Sequence, residues 1–493
     1  MKFRQLAHVS LLSSIIMIAT ALPAQQLDRS AVFKTPVPHS HLPIAASPVH
    51  PQPATQTGPL PATTFGGTPY TVGPTVTPTT TKPEAEEHIA VDPLNANLLV
   101  AAISDFSLRG GFNTTKYVVS TANGGAGSWV QRFVPRNSSG LLVTSDGAVW
   151  QANSDPVVAI DKLGNVYLAD LYIAVSNTGR VTNDGLYVSV GNVSTGVNFT
   201  ASATRSVLTH LSATSVLEDK PWIAADNSSN ATTTGHVYAA WAHFTATSDM
   251  IFFSRSTNHG GSWSSPIQVS RPAQNGAVQG AQVAVGLQGQ VYVTYEVFFA
   301  GNKRQQFLAK STNGGLSFST PVAITPLFNE LTFHSNYRKN SFPALAVNPS
   351  TGFTYVLYAD QPSKTLGAQV EFIRSTTAGG TTFTAPIVIN GSSAGQQFFP
   401  AITADSSGVI HTSWFDTRNS TSGASQYDIF ASRSLNNGGT WSPNARVTSS
   451  IINAATSSFI GDYAGIAALG GFAHPVWTNG GFNNGQLQTS TLH

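Results

Sequence analysis

The chain has 493 residues, 41% of them apolar and only 10% charged, with 43 glycines, 28 prolines and no cysteine. The apolar share supplies a large core, the scarcity of charge argues against long solvent-exposed helices, and the lack of cysteine excludes disulfides and thiolate metal sites. The formal charge is +2 and falls to zero if Lys2 and Arg4 leave with a leader, so nucleic acid is excluded as the expected partner.

In chain order, Lys2 and Arg4 precede an apolar run from Val9 to Ala21 and a small-residue exit at Leu22-Pro23-Ala24. This pattern predicts an export signal over residues 1–24, and with it a secreted or periplasmic location. No later stretch reaches the roughly 20 apolar residues of a spanning helix. Residues 25–83 are rich in Pro, Thr, Gln and Ala and predict a flexible leader. Its end, near Tyr70 to Val76, is able to add an edge strand to the domain behind it.

From residue 84 to 493 one phrase recurs about every 60 residues and defines a single domain. Its opening strand reads HIAVDP (88–93), PVVAIDK (156–162), PWIAADN (221–227), AQVAVGL (281–287), FPALAVNP (342–349), FPAITADS (399–406) and YAGIAAL (463–469). A second β-branched and aromatic run follows each opening, and a third ends in a Gly-rich turn. The turns read STANGGAGSW (120–129), STNHGGSW (256–263), STNGGLSF (311–318), STTAGGTTF (375–383) and SLNNGGTW (434–441). Glycine supplies the positive φ of such a turn, Asn and Ser bond its backbone, and the closing aromatic packs between neighbouring repeats. The expectation is an all-β fold: one β-propeller of four-stranded antiparallel blades, seven in number, or six if one copy is degenerate. The seventh copy lacks its turn, so its missing outer strand has to come from the segment before His88.

The S-x-N-x-G-G-x-S/T-W/F turns resemble the Asp-box, or BNR repeat, of the sialidase superfamily, with Asn where Asp is usual. The phrases DKPWIAAD (219–226), SWFDTR (413–418) and FIGDYAGIA (459–467) look like those of secreted bacterial sialidase-like proteins. This resemblance implies a glycan-acting hydrolase that holds a substrate carboxylate with arginines and uses a Tyr–Glu nucleophile pair with an Asp acid/base. The Phe/Tyr-Arg-Ile-Pro phrase of the family is absent.

In an antiparallel blade the start of strand 1 and the end of strand 2 share one face, opposite the Gly-rich turns. Carboxylates gather there, and glycosidic cleavage needs a proton donor and a second carboxylate or nucleophile. The candidate acids are Asp219, Glu296, Asp416 and Asp462, with Tyr463 as nucleophile and Glu296 as the carboxylate beside it. Arg109, Arg304, Arg338, Arg418, Tyr337 and His243 are the candidate substrate contacts. No HExxH, calcium-loop or G-x-S-x-G pattern is present, so neither a metal nor another cofactor is expected. The expected partner is a glycan or polysaccharide, neutral or anionic, bound by a monomer. A glycan- or protein-binding propeller of the cell envelope without turnover, and a polysaccharide lyase, are the alternatives.

Overall fold

The structure is a computed structural model that describes residues 63–109, 112–176, 181–212, 216–363, 366–457, 459–480 and 484–493. The export signal and most of the leader lie outside the described residues.

The described chain forms seven small antiparallel blade sheets in sequence order, six with four strands on the main path and a last one with three, and a separate two-stranded ribbon of Leu142–Val143 and Val149–Trp150. The first strands of the seven sheets are Glu84–Asp92, Ala152–Ile160, Leu217–Ala225, Val278–Val285, Ala344–Val347, Gln397–Ala404 and Gly465–Leu469. Each packs against the first strand of the next sheet, and Gly465–Leu469 packs back against Glu84–Asp92, so the sheets close into a ring. This is a seven-bladed β-propeller. Its strands are rich in Val, Ile, Tyr and Trp because each blade buries both faces against its neighbours. Ile89, Leu99, Ala467 and Val476 seal the seam between the seventh blade and the first.

The Gly-rich turns sit on one face. Ser256 Oγ accepts the backbone N–H of Gly260 at 2.9 Å, and Asn258 Oδ1 accepts the N–H of Ser262 at 2.9 Å. The same bonds recur at Ser311 and Asn313 and at Ser434 and Asn436. Asn adds what Asp lacks: its amide donates to the hydroxyl of Ser262, at 3.0 Å. Gly438 is obligatory, since at φ 83° an added Cβ would collide with the Phe372 ring of the preceding blade. Trp441 closes that turn and meets the same ring edge-on at 5.0 Å.

The seventh blade, with strands Gly465–Leu469, Phe472–Asn479 and Gln486–Thr489, takes its outer edge from the N-terminal segment. Val76 donates to Thr489 O at 2.8 Å and accepts from Thr489 N at 2.9 Å, and Thr71 and Gly73 continue the ladder to His493 and Thr491. The sheet edge that would be left open is thereby paired. Val76→Pro deletes the donor and is expected to lower stability by about 1–3 kcal/mol. Chemical denaturation would measure it, and an unchanged midpoint would show that this edge contributes nothing.

Candidate functional site

Five of the seven first strands carry a bulge at their start, seen as a break in register with the second strand. The bulged residues have left-handed backbones: Glu86 (φ 64°), Asp155 (φ 57°), Lys220 (φ 49°), Gly280 (φ 70°) and Phe399 (φ 47°). Only glycine adopts that conformation without cost; a bulky side chain there costs about 1 kcal/mol or more. A bulge re-aims the side chain it carries. Here three charged side chains from consecutive blades, Glu86, Asp155 and Lys220, are turned to one place. The two first strands without a bulge follow irregular segments, and these deliver Arg338 and Asp462 to the same place.

The resulting cluster fills the start of the inner strands. Arg338 Nε donates to Asp462 Oδ1 at 2.7 Å, its Nη2 reaches Asp462 Oδ2, and Lys220 Nζ donates to Asp462 Oδ2 as well. Glu86 Oε1 lies 3.7 Å from Arg338 Nη2 and 4.0 Å from Lys220 Nζ. Ser104 and Ser154 donate to Glu86 Oε2, each at 3.4 Å, and Ser104 Oγ accepts Asp155 N at 3.2 Å. Asn340 donates to the backbone carbonyl of Asp462 at 3.0 Å. Asp219 accepts from Gln279 at 3.0 Å and feels the charges of Lys220, Asp155, Asp462 and Arg338. The Arg338 guanidinium also lies over the Phe459 ring, 4.4 Å from its centre.

Four carboxyl groups therefore share two cations in a buried setting, and they do not all ionise alike. Burial, reinforced by the charge and hydrogen bond of Asp155, pushes Glu86 well above the usual carboxylate range. Burial opposes ionisation of Asp155 too, yet its hydrogen bond with Glu86 and the charge of Lys220 hold it low. Asp462 is held low against burial by Arg338 and then Lys220. Burial lifts Asp219 to about 7 while Lys220 pulls the other way. Two carboxyls with opposed protonation beside one another are the arrangement that acid–base chemistry at one site requires.

Tyr463 borders the cluster. Its hydroxyl donates to Pro156 O at 3.2 Å, its ring meets Trp222 edge-on, and burial together with Glu86 and Asp155 pushes its pKa up. Of the residues singled out from sequence, Asp219, Asp462, Tyr463 and Arg338 are thus brought together. The others have separate surroundings. Glu296 accepts from Gln306 at 3.1 Å and faces Arg304 at 3.5 Å, and Arg304 also pairs with Glu330, so Tyr463 and Glu296 do not meet. Asp416 is clasped by Arg418 through Nε and Nη2, at 2.9 and 2.6 Å, and by the Trp414 indole at 2.9 Å. The Tyr337 hydroxyl donates to Ala424 O inside the core. His243 belongs to a separate group with His210 and Glu218. The side chain of Arg109 lies outside the described residues.

Most acids at the ends of the second strands serve as ties. Asp105 faces Lys116 at 3.3 Å, Asp170 accepts from Thr115 at 2.7 Å and Asn153 at 3.2 Å, and Asp360 accepts Asn329 N at 2.8 Å. Glu86, Asp155 and Lys220, absent from the sequence-based choice of site residues, form the centre instead. Their sequence signal is faint: Asp155 and Lys220, like Phe399, each precede a proline at the same point of the repeat.

Burial elsewhere sets the pH response of the fold. It pushes Glu87 up to about 8 and Glu296 to about 7, and pushes His88 and His474 down to about 4. A carboxyl whose pKa is raised on folding stabilises fully below its unfolded value of about 4.3, and loses that contribution as pH rises through its folded value. A depressed histidine contributes above its unfolded value of about 6.5 and loses its contribution as pH falls through its folded value. Melting temperature is expected to peak between about pH 5 and 7 and to decline toward pH 9. A flat profile from pH 6 to 9 would show that Glu87 and Glu296 ionise freely in the fold.

Fold and site together define a seven-bladed propeller whose inner strands converge on a buried ionic cluster. No protein-family description matches the chain, and no curated protein matches it. Solved structures similar to it include a protein of unknown function from Dyadobacter fermentans, with 13% identity and a TM-score of 0.43 over 88% of this chain and 97% of that one. The NanB sialidase of Streptococcus pneumoniae shows 12% identity and a TM-score of 0.41, over 82% of this chain and 68% of that one. A polysaccharide lyase, an ulvan lyase, shows 11% identity and a TM-score of 0.45, over 82% and 94%. These likenesses concern the course of the chain; the reading of function rests on the residues.

Proposed function

We propose that the protein is a secreted glycan-acting hydrolase that cleaves a glycosidic bond where the inner strands begin. One observation carries this reading: three consecutive inner strands accept left-handed, non-glycine bulges and thereby turn Glu86, Asp155 and Lys220 toward Arg338 and Asp462. The same bulge carries Gly280 and Phe399 in two other blades, so it does not need a charge; desolvated charge costs stability, and apolar side chains would fill the ring more cheaply. Perturbed carboxyls in such a cluster are what a site for proton transfer requires.

In this reading Glu86 is the proton donor and Asp155, bonded to it, keeps it in the acid form. Glu86 protonates the glycosidic oxygen as the bond to the anomeric carbon breaks. Asp462, ionised between Lys220 and Arg338, stabilises the positive charge on the sugar. Water then adds to that carbon and returns its proton to Glu86, so the net reaction is hydrolysis. The glycan class is supported by the resemblance of the Gly-rich turns to sialidase-superfamily repeats.

A second reading is supported by the closure of the cluster. Side-chain exposures of Glu86, Lys220, Arg338 and Asp462 are 1%, 6%, 11% and 3%, and both cations are already paired with Asp462. A propeller held by such an axle would bind glycan or protein without turning it over. Incubating the purified protein with sialosides and acidic polysaccharides separates the cases. Released saturated sugar supports the hydrolase; unsaturated ends indicate a lyase; saturable binding with intact polymer indicates a binding module.

A further inference from the structure

Between blades 2 and 3, outside the ionic cluster, two cross-strand pairs face each other. His210 ends the outer strand of blade 2, Thr204–His210, directly opposite Asp184 on the neighbouring strand. Glu218 stands at the start of blade 3, directly opposite His243. Across the seam, Glu218 Oε1 lies 2.6 Å from His210 Nε2 and 2.7 Å from His243 Nδ1, and the possible ligand atoms of the three residues all fall within 4.8 Å of one another.

We infer that His210, Glu218 and His243 form a binding site for a first-row divalent transition ion of the zinc type. Two imidazoles and carboxylate oxygens are the donor set that such ions prefer, whereas calcium and magnesium want oxygen alone. Asp184 borders the group through the Glu218 backbone. It is 1% exposed, its Oδ2 accepts Glu218 N at 2.8 Å, and its Oδ1 has no hydrogen-bond partner among the described residues. A buried carboxylate oxygen without a donor is costly, and a cation close by offsets that cost.

The surroundings are those of a held site. The Trp241 indole donates to Glu218 Oε2 and fixes the carboxylate, while the His243 ring stacks on Phe252 with centres 4.3 Å apart and planes 5° apart. Ligands at about 2.0–2.2 Å in a tetrahedron stand about 3.3–3.6 Å from one another, so the two contacts to Glu218 Oε1 need to open by about 0.6–1 Å. A divalent ion balances Glu218 and, through His210, joins the edge of blade 2 to the inner strands of blade 3. In a chain with no cysteine it supplies a cross-link that disulfides cannot. This inference stands whether or not the ionic cluster at the inner strands turns over a glycan.

The test is calorimetric titration of chelator-treated protein with zinc chloride alone, with X-ray absorption on the loaded sample. One ion per chain is expected, with imidazole nitrogen in its shell, a raised melting temperature, and no competition from millimolar calcium or magnesium. His210 is partly exposed on an outer strand, so His210→Gln should fold; it is expected to weaken zinc binding by at least about 100-fold, as is His243→Gln. Should saturable binding be missing, or be unchanged in both variants, the three side chains form only a hydrogen-bonded clasp and the proposal falls.

Discussion

Glu86→Gln is expected to reduce the turnover of a cleaved glycan by about 10²–10⁴-fold while leaving the melting temperature unchanged. The two halves of this expectation come from the same fact. Glu86 is held in its neutral form by burial and by Asp155, so a neutral amide of the same shape replaces it without a new charge imbalance. The amide can still donate to Asp155, but it has no proton to transfer to a leaving oxygen. Asp462→Asn is the less informative change, because it strands Lys220 and Arg338 beside a neutral group and disturbs folding as well. A Glu86→Gln protein that melts normally and retains full activity would remove Glu86 from the reaction. One that loses both fold and activity would show the cluster to be an axle first.

Lys116→Met is expected to destabilise the fold by about 3–5 kcal/mol, the cost of leaving a buried charge without its partner. Lys116 is wholly buried and contacts Glu84, with Asp105 at 3.3 Å. Glu84 Oε2 in turn accepts from Leu487 N at 2.7 Å and Thr79 Oγ1 at 2.7 Å, and Glu84 N donates to Gly485 O. One carboxylate thus holds the first blade, the last blade and the N-terminal segment together, and the ammonium sets its charge. Burial lowers the lysine to about 7, so the comparison belongs at pH 6, where the wild-type side chain is charged. Equal denaturation midpoints for wild type and variant would mean that the ring closes without this pair. Replacing Lys116, Glu84 and Asp105 together with apolar residues should recover much of the loss, since the cost lies in the unpaired charge.

The fold was legible because each blade writes its own local signals. The seven opening phrases record buried inner strands, and the Gly-rich turns record where positive φ is compulsory, as at Gly438. The candidate site was legible only in part. Asp219, Asp462, Tyr463 and Arg338 lie beside repeat openings, and position alone marks them. Glu296 and Asp416 were chosen by the same logic, but side chains on successive strand residues point to opposite faces, and theirs meet Arg304 and Arg418 in their own blades. Glu86 and Asp155 stand in the sequence among the carboxylates before the first strands, but nothing there ranks them above the rest, and Lys220 was hidden, because the direction of all three depends on a bulge. The one trace is conformational: Asp155 and Lys220 precede prolines, where helical backbone is disfavoured, yet both take left-handed φ. His210 was invisible for another reason, since its partners Glu218 and His243 belong to the next repeat.

The pairing of the segment around Gly73 with the last strand also dictates the order of assembly. Gly73 and Ser490 bond across 417 positions of chain, so the earliest-synthesised piece of the propeller waits for almost the latest before it finds its place. Contacts so distant in sequence form slowly and late. Until the final dozen residues are made, six finished blades stand as an open horseshoe with two unpaired rims. Folding intermediates should therefore be sensitive to aggregation at those rims, and a chaperone or a peptide spanning residues 63–80 supplied in trans would be the natural means of protecting them.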